Sequence, residues 1–165
     1  MSITAIVIPV DPKEPVRIQE IDKRDLNAYR DLVGGNIEVI NLCQPPASLY
    51  FNEEGKLEEF PVNPRATTLL WAHNSAFRGQ DHIVGPAFIV GPVDGRGDDK
   101  TAPQALIDLF LNTKTYRVEV QVNERPEWSG NEERFTDWFE AYVYGVQLAQ
   151  RWTAVDEVRV VSADE

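Results

Sequence analysis

Few side chains in this sequence have types that could do chemistry. His73 could be joined on paper to Asp81 and Ser75 as a hydrolytic triad, but nothing in their spacing requires it. A histidine at a helix end is the simpler reading. His73 and His82 are the two histidines of the chain, and neither has a His or Cys at helical spacing. Asp98-Asp99, Glu53-Glu54 and Glu58-Glu59 match no calcium loop, so no metal and no cofactor is expected. Cys43 is the single cysteine; it can form neither an internal disulfide nor a CxxC pair, and a strand position would leave its thiol inert. The run Gly95-Arg96-Gly97-Asp98-Asp99-Lys100-Thr101 has the outline of a phosphate loop. Asp99 stands where that loop needs glycine, and two carboxylates beside Lys100 would repel phosphate. The Arg96-Gly97-Asp98 tripeptide is read as chance. No catalytic residue is assigned, and a non-enzymatic protein is expected.

Two polar constellations remain. Asn63, Arg65 and Thr67, with Thr68, cluster where a helix should begin, and free N–H groups there could accept an anion while Arg65 adds charge. They are the candidate site for a small ligand, a nucleotide for instance. Glu133, Asp137, Glu140 and Tyr144 fall on one side of a long C-terminal helix, opposite its apolar stripe. Carboxylates around an aromatic anchor suit a protein with a basic surface, or mimicry of the spaced charges of DNA.

The elements that must position these residues follow from pattern. Ile3–Val10 and Val16–Ile21 read as strands. Asp22 caps a helix through Leu32 that Gly34-Gly35 stops, and Ile37–Leu42 is a further strand. A hairpin is expected between Ser48–Phe51 and Leu57–Phe60, turning at Asn52–Gly55. Asn63-Pro64 opens a helix, since asparagine caps free N–H groups and proline fits the first position. Ile83–Val90 is a strand interrupted at Gly85-Pro86. Residues 92–100 read as a linker. Thr101 with Gln104, and Ser129 with Glu132, form capping-box patterns, the second opening a helix to about Trp152. In that helix Phe135, Trp138, Phe139, Tyr142, Val146, Ala149 and Trp152 form the apolar stripe. Tyr116–Val122 alternates cleanly, and Val155–Val161 closes the chain as a strand. The strand–helix–strand from Tyr116 to Val161 would be a right-handed crossover if its strands are parallel neighbours. The expected fold is α+β: a mixed β-sheet covered by helices, with a long amphipathic C-terminal helix followed by a final strand.

The chain has 165 residues with 27 acidic and 16 basic side chains, a formal charge of −11. At this length one compact domain is expected, with roughly 70 % of the unfolded chain's surface buried. The acidity excludes a protein that tracks nucleic-acid phosphates, which needs a basic face. No apolar run approaches a membrane span, and the N-terminus lacks the basic and small-residue regions of a signal peptide, so a cytoplasmic protein is expected. The charge is uneven: residues 1–60 hold 11 acids and 6 bases, and residues 124–165 hold 10 and 4, while the middle is neutral.

Four blocks then stand out in order: Leu32–Val39 (Leu-Val-Gly-Gly-Asn-Ile-Glu-Val), Asn52–Leu57, Pro61–Thr67 and Ile83–Gly91. Through them residues 1–91 resemble the bacterial, phage and plasmid proteins grouped as domain of unknown function 3846 (DUF3846), and 101–165 form the remaining α-β-α-β region. The resemblance carries no activity and no catalytic residue. It implies an accessory gene of a mobile element. With the acidity, it points to a non-enzymatic protein that binds and modulates a host protein in the host cytoplasm; the alternative is a protein that sequesters a small ligand or nucleotide.

Overall fold

The computed structural model describes all 165 residues, and the chain divides into two compact units. The first holds residues 1–67 and 82–107, the second 68–81 and 108–165.

In the first unit, β1 (Ser2–Ile8), β2 (Arg17–Asp22), β3 (Ile37–Leu42), β4 (Ala47–Asn52) and β5 (Ala87–Val90) form one sheet in the order β2-β1-β5-β4-β3. Every pairing in it is antiparallel. Alternation sorts the side chains: Ile3, Ala5 and Val7 of β1 join Ile21, Tyr50, Phe88 and Val90 on one face. The helix α1 (Leu26–Val33) closes that face with Tyr29 and Val33. Burying each such aliphatic or aromatic side chain stabilises the fold by about 1.5–3 kcal/mol. The N-cap of α1 is Asp25 rather than Asp22; its carboxylate accepts the Asn27 and Ala28 N–H groups. Gly34 stops the helix at φ +80°, where a side chain would be strained.

The expected hairpin at residues 48–60 does not form. β4 pairs instead with β3 and β5, and residues 53–59 coil into successive turns that leave Leu57 exposed. The true hairpin is β3–β4, reversing through residues 43–46. The stretch 92–100, expected as a linker, is a closed loop of the first unit. Gly91 and Lys100 bridge at its neck, Asp94 caps its tip by accepting the Arg96 and Asp98 N–H groups, and Asp99 is buried. A Cβ on Gly91 would lie 2.5 Å from the Thr101 carbonyl, so the neck closes only around glycine.

The helices α2 (Pro64–His73) and α3 (Gln104–Leu111) each begin in the first unit and end in the second. α2 starts where Asn63-Pro64 predicts. Thr101 does not cap α3; its hydroxyl accepts the Thr4 N–H instead, and the first turn of α3 closes on the Pro103 carbonyl.

In the second unit, β6 (Tyr116–Val122), β7 (Ser129–Gly130) and β8 (Val155–Ser162) form a sheet in the order β7-β6-β8, with α4 (Trp138–Arg151) packed on it. The fold class is α+β, with the long amphipathic helix and final strand as expected, but neither sheet is mixed. Both are antiparallel. In the second sheet the reason lies at Asn123-Glu124, where two consecutive residues with positive φ reverse the chain. The strand entering α4 is therefore β7, running back beside β6, and β7 and β8 flank β6 in the same direction. Ser129 sits in β7 and caps nothing. α4 begins at Trp138, with Asp137 accepting the Glu140 N–H. Its buried positions are Trp138, Ala141, Tyr142, Gly145 and Val146; Trp152 lies past the helix end and is exposed. On the far face of this sheet Glu119 binds Arg159 at 2.6 and 2.9 Å and lies 3.4 Å from Arg117, while the Arg159 guanidinium sits over the Trp128 ring.

Candidate functional site

The residues expected to bind a partner gather around the loop that precedes α4, not along an acidic helix face. α4 itself carries one acid, Glu140, and one base, Arg151. Glu133 is in the loop and Asp137 is the N-cap, which favours a carboxylate because the first-turn N–H groups have no helical partner. Asp137, Glu140 and Tyr144 share a side of the helix, at offsets of three and seven residues. Tyr144 is not a free anchor. Its hydroxyl accepts the Asn131 side-chain amide at 2.9 Å, and its ring packs 5.2 Å from Phe135. The loop is held firmly at that point: Phe135 exchanges backbone hydrogen bonds with Tyr116, and Asn131 accepts the Glu133 N–H. The Arg134 guanidinium donates back to the Asn131 and Glu133 carbonyls. Glu124, Glu127, Glu132, Glu133, Asp137 and Glu140 are all exposed, against Arg125 and Arg134. The loop before α4 thus holds Glu132, Glu133 and Asp137 against Arg134 and is built on a Phe–Tyr pair, while Glu124, Arg125 and Glu127 precede β7 and Glu140 lies in the first turn of α4.

Asn63, Arg65 and Thr67 do meet at the start of α2, but they turn inward. Asn63 is fully buried; its oxygen caps the Ala66 N–H and its amide donates to the Ile8 and Gly85 carbonyls at 3.0 Å each. The Arg65 guanidinium donates to the Pro9 and Asp11 carbonyls, both at 2.9 Å. Thr67 Oγ1 accepts the Ile83 N–H at 2.9 Å and donates to the Ile83 carbonyl at 3.3 Å. The three side chains stitch α2 to the segments around it. The polar atoms expected to meet a ligand are thus turned to backbone groups of the same unit.

Two buried polar groupings escaped the sequence reading. Asp99 Oδ2 accepts the hydroxyls of Tyr29 at 2.8 Å and Tyr50 at 2.7 Å, while Oδ1 is buried without a hydrogen-bond partner. The two tyrosines pack edge to face, and Tyr50 stacks on Phe88. Burial, reinforced by Asp99, pushes both hydroxyls well above the usual tyrosine range, so they stay protonated and donate to it. In the second unit His73 Nε2 lies 2.7 Å from the Tyr142 hydroxyl, both groups buried. Burial raises the Tyr142 hydroxyl too. Ser75, the third member of the paper triad, directs its hydroxyl to Glu157. No signal in the sequence marks Asp99: a polar, glycine-rich stretch ordinarily faces water. No group of three or more His, Cys, Asp or Glu side chains is placed to hold a metal ion.

Fold and side chains together define an antiparallel α+β protein whose buried polar groups knit its loops and helices, and whose exposed charge is concentrated on defined segments. A model of the family described as domain of unknown function (DUF3846) matches residues 3–115, and the chain belongs to that family. The match runs beyond the four blocks to residue 115, and so takes in the Asp99 loop, α3 and the approach to β6. No curated protein and no solved structure matches the chain. No helix is long and apolar enough to cross a membrane.

Proposed function

We propose that this chain is an acidic, non-enzymatic accessory protein that acts by binding another protein through a basic surface on that partner. The observation that carries the reading is the ordered loop before α4, where Glu132, Glu133 and Asp137 are exposed on a segment held by the Phe135–Tyr144 contact. An ordered loop lowers the entropy lost on association, and clustered charge of one sign steers a complementary partner. The mobile-element setting implied by the family resemblance makes a host protein the natural target, bound in the host cytoplasm and modulated rather than chemically altered.

The test is affinity capture on the immobilised chain, comparing wild type with Glu132→Lys/Glu133→Lys. Both side chains are exposed and cap nothing, unlike Asp137, so the fold should survive, and circular dichroism checks that it does. The expected result is a captured protein that is released by salt and absent from the charge-reversed variant. Equal capture by both forms sinks the loop as the contact surface.

A further inference from the structure

The two sheets expose three edge strands of useful length, β2, β3 and β8, and β3 is the least protected of them. Natural edges are guarded by charged side chains, lysine above all, by proline and by bulges. β2 carries Arg17, Glu20 and Asp22, and β8 carries Asp156, Glu157 and Arg159. β3 reads Ile-Glu-Val-Ile-Asn-Leu, with one acid, no base and no proline, and it pairs with β4 in unbroken register over six residues. No strand lies on its outer side.

The ladder also shows which backbone groups face outward. Glu53 N–H donates to the Asn36 carbonyl at 2.8 Å, which makes 36/53 a hydrogen-bonded pair. Antiparallel pairs alternate, so 38/51 and 40/49 are bonded, and the N–H and C=O of Ile37 and Val39 point away from β4. The Val39 side chain is 47 % exposed. At Ile37 and Val39 the edge therefore turns backbone donors and acceptors outward, with an apolar side chain beside them.

The charge of the chain on either side of it selects the occupant. Residues 31–60 hold six acids (Asp31, Glu38, Glu53, Glu54, Glu58, Glu59) against the single base Lys56. Glu38 is exposed on β3 itself, and the Glu53 backbone is bonded to the residue that starts the strand. A second copy would bring the same acids against these. We propose that β3 takes an extended, Lys- or Arg-bearing peptide segment of another protein as an additional strand, its backbone pairing with Ile37 and Val39 and its cations meeting the acidic rim. This surface belongs to the first unit and is independent of the loop before α4, so either can fail alone.

The experiment uses the full chain and a blocked hexapeptide of alternating Lys and Val, with its Glu–Val counterpart as control. Binding is followed by fluorescence anisotropy and by amide exchange. The expected result is binding of the Lys–Val peptide at least about tenfold tighter than the Glu–Val peptide, with slowed exchange at the Ile37 and Val39 amides. Val39→Pro removes an outward N–H without touching the β4 ladder and should weaken binding about tenfold or more. Val39→Lys, at a half-exposed side chain, should weaken it as well and serves if the proline variant unfolds. The proposal is overturned by equal affinity in wild type and Val39→Lys, or by exchange protection confined to other residues. Sedimentation showing a wild-type dimer that Val39→Lys dissolves also overturns it, by giving the edge to a second copy.

Discussion

Asp99→Ala tests whether the buried carboxyl group is what holds the 91–100 loop in place. In the wild type Oδ2 receives two hydroxyls from side chains that are 2 % (Tyr29) and 9 % (Tyr50) exposed, and Oδ1 receives nothing. Removing the carboxyl leaves two buried donors unpaired, each at a cost of about 1–3 kcal/mol, and relieves one buried unpaired oxygen of comparable cost. The net expectation is a loss of about 1–3 kcal/mol. In a Tyr29→Phe/Tyr50→Phe background the same substitution removes a buried carboxyl with neither hydroxyl partner, so it should stabilise. The sign of the Asp99→Ala effect therefore reverses with the background, as expected of groups sharing one network. Urea unfolding followed in parallel by near- and far-ultraviolet circular dichroism measures both values, coincident transitions licensing a two-state treatment. An effect of the same sign and size in both backgrounds refutes the network.

Other expectations are simpler. Asp137→Ala removes the α4 cap and should lower stability by about 0.5–2 kcal/mol in the same assay, whereas Ser129→Ala should change little because Ser129 caps nothing. Gly91→Ala should be strongly destabilising, since its methyl would meet the Thr101 carbonyl, while Gly95→Ala, with open space around it, should be tolerated; thermal unfolding of the two variants gives the comparison. Asp94 accepts the Arg96 N–H and then the Asp98 N–H, which hold its carboxyl below the usual range. A depressed folded value means that its contribution is present above the unfolded value and lost as pH falls through the folded one. The Arg96 and Asp98 amide resonances should therefore move only below about pH 4, and a transition near neutrality contradicts the assignment.

Where local chemistry determines structure, the sequence could be read directly. Asn63-Pro64 starts α2, Gly34 stops α1, and the alternation of Tyr116–Val122 marks β6. The largest displacement arose at Asn123-Glu124, where two residues without glycine's freedom adopt positive φ. Asparagine accepts that conformation readily and glutamate rarely, so the pair does not announce a reversal. Because of that reversal the C-terminal helix starts after Asp137 rather than at Ser129, and β7, not β6, is the strand that enters it. The actual start carries its own signature, Asp137 followed three residues later by Glu140, an acid-capped variant of the pattern sought at Ser129.

The candidate sites divide along the same line. Asn63, Arg65 and Thr67 stood together in the sequence and stand together in the structure, but whether a polar side chain faces water or a buried carbonyl depends on segments remote in the chain. Ile8, Pro9 and Gly85 supply those carbonyls, and no local pattern names them. Asp99 is the same problem reversed, an acid in a hydrophilic stretch drawn inward by tyrosines 49 and 70 residues away. Surface charge behaves differently. Exposed carboxylates need no distant partner, so the acidic segments counted in the sequence reappear on the surface as the loop before α4 and the rim of β3. If those two surfaces carry the function, the decisive measurements are the ones that alter them without touching a buried group: charge reversal at Glu132 and Glu133 for the loop, and Val39→Lys for the edge. Loss of both binding activities in both variants would mean that a change in fold, not in surface, had been measured; loss of one in each assigns the two surfaces separately.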